Sequence, residues 1–106
     1  MATGRLGAAD LAAATNTTLY TVPASTFSVV TVSLCNRSAS AITVRIALSA
    51  SGTPTDSEYL EYDVSITAKG VLERTGIVMD AGKFLVVRAS AIGVSAVAFG
   101  IETSTA

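Results

Sequence analysis

The side chains that could do chemistry in this chain are few, and the densest group of them is acidic. Asp56, Glu58, Glu61 and Asp63 fall within one short stretch, "DSEYLEYD". Alternate positions of an extended chain share a face, so Glu61 and Asp63 could hold a hard cation through oxygen ligands. The same pair could supply the two acids of glycoside cleavage. Neither chemistry has its supporting motif: there is no calcium-loop spacing, no Trp to stack a sugar and no Gly-rich phosphate cradle. The simpler reading is the outward face of an acidic strand.

The remaining reactive types are scarcer still. The chain has no His, so the commonest general base and metal ligand is missing, and a Ser-His-Asp or Cys-His site cannot be built within it. Zinc is disfavoured on the same ground. The lone Cys35 cannot form an internal disulfide and reads as a buried, inert thiol in a strand. Glu73 and Arg74 are adjacent, so on a strand they face opposite ways and each needs its own cross-strand or cross-subunit partner. Tyr59 and Tyr62 could form an adhesive patch, tyrosine being enriched at interfaces; core packing for Tyr62 and a rim position for Tyr59 is the favoured alternative. No cofactor is expected.

The elements that must position these groups are strands. "AITVRIALS" sets Ile42, Val44, Ile46 and Leu48 against Thr43, Arg45, Ala47 and Ser49, the period of a half-buried strand. "FSVVTVSLCN" puts Val30, Val32 and Leu34 on one face and Phe27, Val29, Thr31, Ser33 and Cys35 on the other. That second face is more apolar than solvent requires, which predicts partial cover. "NRSAS" has hairpin length, "TLYTV" is a short strand stopped by Pro23, and "ASGTPTDSE" is a turn-rich loop free to vary. "EYLEYDVSIT" alternates Leu60, Tyr62, Val64 and Ile66 against Tyr59, Glu61, Asp63 and Ser65. Lys69-Gly70 and Asp80–Gly82 mark turns before two further strands, and Gly93 precedes a last one. Seven or eight short strands at such spacing predict an all-β antiparallel sandwich, jelly-roll-like or Ig-like.

Residues 1–16, Gly- and Ala-rich with Leu6 and Leu11 as the large apolar anchors after Met1, predict an N-terminal arm docking on a neighbour, and residues 17–106 the sandwich domain. Leu6, Leu11, Tyr20 and Tyr59 are the candidate interface residues.

At 106 residues the chain has room for one domain. Its charged share of 14% is well below the roughly 25% of an average globular protein, which predicts a surface covered by other copies, most simply in a trimer. The seven basic residues are dispersed and the net charge is −1, so no nucleic-acid stripe exists. No run approaches a membrane span, and Asp10 interrupts what could otherwise pass for a signal sequence, so synthesis in a cytoplasm without a cleaved signal is expected. Asn16-Thr17-Thr18 and Asn36-Arg37-Ser38 match the glycosylation pattern by chance on this reading.

"TLYTVP", "CNRSASAITVRIA" and "LERTGIVMDAGK", within a similarity running from about Gly4 to Glu102, resemble small structural proteins of tailed bacteriophages, especially cyanophages. That family often has Gly after Pro-Ala, where this chain has Ser25. The resemblance implies a virion component without enzymatic activity, associated with itself and with other virion proteins such as the major capsid protein. Capsid decoration is the favoured place; a tail, baseplate or fibre part touching host glycans is the alternative, disfavoured because "ASGTPTDSE" carries no aromatic residue.

Overall fold

The longest alternation in the chain, "TFSVVTVSLCN", forms a continuous strand in which every second residue from Thr26 to Asn36 is buried. In the computed structural model, which describes residues 3–105, it is the third of eight strands. These are β1 (Thr3–Asp10), β2 (Thr17–Thr21), β3 (Thr26–Asn36), β4 (Ile42–Ser49), β5 (Tyr59–Ile66), β6 (Val71–Met79), β7 (Phe84–Ala89) and β8 (Val94–Ser104). They pair antiparallel in two sheets: sheet A in the order β1-β8-β3-β6 and sheet B in the order β2-β7-β4-β5. Two four-stranded sheets in that order make an eight-stranded jelly roll.

The core lies between the sheets. Val30, Val32 and Leu34 of β3 meet Ile42, Val44 and Ile46 of β4, with Leu85 and Val87 of β7 and Val94, Ala96 and Ala98 of β8. All of these are the inward set of their strands, so the period-two pattern and the burial agree. Leu48 departs from expectation. It stays on the inward face, opposite the buried Leu85 of β7 and packed against the core, but it is only half-buried because it lines an opening at the rim with Leu60, Arg74 and Ile77.

The N-terminal segment is not an arm. Thr3–Asp10 pairs along its length with β8 as the edge strand of sheet A, from Thr3 opposite Ile101 to Asp10 opposite Ser95. Leu11 follows it into the core at 2% exposure, and Leu6 packs against that core. Gly7 serves close internal packing: a β-carbon there would fall 2.1 Å from the Leu19 carbonyl oxygen. The absence of large alternating residues hid the strand, since its stability comes from backbone pairing and one apolar anchor. Met1 and Ala2, the first residues of the expected arm, lie outside the described residues.

The β2–β3 turn keeps a glycine-type backbone without glycine. Ser25 has φ +54, the left-handed conformation that L-residues adopt at some cost. Lys69-Gly70 and Asp80–Lys83 form the turns expected of them, closed by Gly70 N–H to the Thr67 carbonyl and Lys83 N–H to the Asp80 carbonyl.

Candidate functional site

The acidic stretch does not assemble a site. A residue in the left-handed conformation, Asp63 at φ +53, bulges β5 between its pairings with Val44 and Ile46. The bulge reverses the facing at Glu61, and a second slip restores it before Tyr59, which lies opposite Ala47. Glu61 therefore lies opposite the inward Ile46, not on one face with Asp63. It meets Arg74 at 2.6 Å, and since Arg74 lies on β6 this ion pair joins sheet B to sheet A at the rim of the sandwich. Asp63 instead receives a forked pair of hydrogen bonds from Arg45, at 2.7 and 3.3 Å, which holds its carboxyl below the usual range.

Glu58 has a third role. Its carboxylate accepts N–H bonds from Thr55 and Ala50, both 2.9 Å, and a hydrogen bond from the Ser49 hydroxyl at 3.0 Å. The backbone donors, Thr55 first and then Ala50, pull its carboxyl down to about 2. The loop expected to vary freely is thus fastened at both ends by one side chain, and Gly52 within it lies against Thr18 of β2. Among the described residues no three of Asp, Glu and Cys gather as a metal group.

Of the candidate interface residues, Leu11 and Tyr20 are core. Tyr20 is 8% exposed because a bulge at Leu19 turns it inward, where its hydroxyl meets Ser28 and donates to Glu102, both on sheet A. Leu6 is half-buried against the same core. Tyr59 is half-buried, and Tyr62, expected in the core, is 55% exposed. Their rings pack edge to face at 4.9 Å, and the Arg45 guanidinium sits 4.2 Å from the Tyr62 ring centre. With Asp56 they line a shallow open hollow on sheet B. Asn36 is fully buried: its amide donates to the carbonyls of Ser40, Ile66 and Thr67 and accepts from Ser38. A group so occupied cannot take a glycan.

The surface that stands out is the outer face of sheet A. Cross-strand register lays Val78, Val29, Ile101 and Thr3 in one row across all four strands. Phe27 lies to one side of that row, and Thr31, Phe99 and Arg5 form the next row on the other. Glu73, Ser33, Val97 and Ala8 follow, and then Val71, Cys35, Ser95 and Asp10. Of the seven exposed large apolar side chains among the described residues, Phe27, Val71, Val78, Phe99 and Ile101 all lie on this face. Concentration on one face distinguishes an interaction surface from the scatter normal on a monomer. Sequence reasoning met this face in β3 alone; the contribution of β6 and β8 needed the register. Cys35 lies here, half-buried and not interior as expected.

With this geometry in hand, comparison with known proteins adds nothing further: no family model, curated protein or solved structure matches the chain.

Proposed function

We propose that this chain is a non-enzymatic structural component of a tailed-phage virion, working in the head as a decoration protein that associates with itself and with the major capsid protein. The observation that carries the reading is the outer face of sheet A, an apolar surface on a small domain whose carboxylates are largely engaged in holding the fold. Such a surface suits assembly. A jelly roll is compatible with this role and with many others, so the fold itself carries no weight. Counting copies per particle by quantitative mass spectrometry tests the proposal. Hundreds of copies support the head; a few to some dozens transfer the protein to the tail or baseplate; absence from particles ends the virion reading.

A second reading has one observation in its favour. The exposed Tyr62, braced by Tyr59 and beside Asp56, gives sheet B a ring on which a host saccharide could rest, as a tail or fibre part would need. Tyr62→Ala would then slow adsorption of particles to the host while leaving assembly intact.

A further inference from the structure

We propose that the occupant of the outer face of sheet A is the same face of a second copy, related by a two-fold axis that runs along the strands within the interface. The inference rests on the assembly reading above and gives it a partner and a geometry.

Three observations lead to a second copy. The first is charge. Arg5 and Glu73 both lie on this face, and neither has an ion pair among the described residues, whereas Asp10, Glu61, Asp63 and Asp80 are all paired. Arg5 stands on β1 and Glu73 on β6, the two opposite edges of the sheet. A two-fold axis along the strands lays β1 of one copy over β6 of the other. Arg5 belongs to the Thr31–Phe99 row and Glu73 to the Ser33–Val97 row, two residues apart on β3, or about 7 Å. An arginine side chain spans that offset, so each copy's Arg5 meets the other's Glu73, twice per pair.

The second is apolar self-complementarity. The same operation places β8 over β3, so Ile101 of one copy faces Val29 of the other and the central row closes on itself. Among the described residues the other exposed large apolar side chains, Tyr62 and Ile92, are not on this face and do not form a second patch. One self-matching patch closes in twos; a ring of three needs two different complementary patches. The expected trimer therefore gives way to a pair.

The third is area. Four strands about 4.8 Å apart and eight or so residues long present roughly 500–600 Å² per copy, just over ~1,000 Å² in total, the lower bound for a specific interface. Twisted sheets packing face to face at about 30° fill such a contact well.

The test is sedimentation equilibrium of the full chain across a wide concentration range, with charge reversals as the decisive arm. The wild-type chain should move reversibly from monomer to dimer. Arg5→Glu and Glu73→Arg should each weaken pairing by about tenfold, because two symmetric contacts are lost together, and the double reversal should restore it. Ile101→Glu and Val78→Glu, both at exposed positions, should give folded monomers by circular dichroism. Cys35 provides a readout that needs no variant: its reaction with a maleimide should slow as protein concentration rises. A chain monomeric throughout, a double reversal that fails to restore pairing, or a trimer overturns the proposal. These outcomes are separate from the virion reading: a monomer found at hundreds of copies per particle removes the pair and leaves the particle assignment, and a dimer absent from particles does the reverse.

Discussion

The phenol of Tyr20, on β2 of sheet B, crosses the interior to within 2.7 Å of the Ser28 hydroxyl on β3 of sheet A. Its own proton goes to Glu102 on β8, directly beside Ser28 in the register, so the Ser28 hydroxyl donates to the phenol oxygen. One tyrosine thereby ties two strands of the opposite sheet and leaves no buried polar side-chain atom unpartnered among the described residues. Removing the hydroxyl would strand Ser28 in the core. Tyr20→Phe should therefore cost about 1–3 kcal/mol, measured by urea denaturation at neutral pH.

The same tyrosine makes the fold sensitive to alkali. Burial, reinforced by the Glu102 carboxylate, pushes its phenol from 10.0 up to about 12. The folded state favours the protonated phenol, so this stabilisation is complete below the unfolded value of 10.0 and is lost as pH rises through about 12. The urea midpoint of the wild-type chain should fall across that window, and the fall should be shallower in Tyr20→Phe.

At the acid end the sensitive group is Glu58. Its folded carboxyl, held at about 2 against an ordinary 4.5, stabilises the fold fully above 4.5 and loses that contribution as pH falls toward 2. Glu58→Gln should flatten the acid limb of a plot of melting temperature against pH. It should also make the segment from Ala50 to Ser57 an easier target for limited proteolysis, since the anchor of that loop is weakened. An unchanged acid limb would show that the carboxylate does not hold the loop in solution.

The core pattern is tested by contrasting two positions on one strand. Ile46 is fully buried and Leu48 only half-buried. Ile46→Ala should cost roughly 2–5 kcal/mol and Leu48→Ala clearly less. Equal losses would mean that Leu48 is packed as deeply as Ile46 and that the rim of the sandwich is closed over it.

Deleting residues 1–11 should destabilise the isolated domain severely. The deletion removes β1 and the buried Leu11 and bares the edge of β8. A truncated chain with an unaltered melting curve would return the segment to the role of an external arm.

What the sequence made legible was the set of strands with large alternating side chains. β3 and β4 follow their pattern because Val and Ile at every second position leave one register that buries them. Local backbone devices were not legible. Asp63 in the left-handed conformation reassigns Glu61 from an outward acidic face to an inter-sheet ion pair, and nothing in "EYLEYD" marks that residue as a bulge. β1 was invisible for a different reason: "TGRLGAAD" is held by pairing with a strand ninety residues away, and pairing leaves no trace in composition. The interaction surface was half legible. Phe27, Val29 and Cys35 announced an apolar second face on β3, but its extent depends on neighbours that only the sheet order supplies.

That pairing of first strand with last governs how the chain can fold as it is made. Thr3 sits opposite Ile101, so sheet A lacks its second strand until the C-terminal region has left the ribosome. Until then both β1 and β3 present open hydrogen-bonding edges, and the nascent chain carries an apolar sheet half assembled. Closing so long a loop is slow, and all-β chains of this topology reach the native state in milliseconds to seconds. The C-terminal strand is thus the step that commits the molecule: a ribosome stalled before residue 94 releases a chain with the makings of sheet B but no means of completing sheet A.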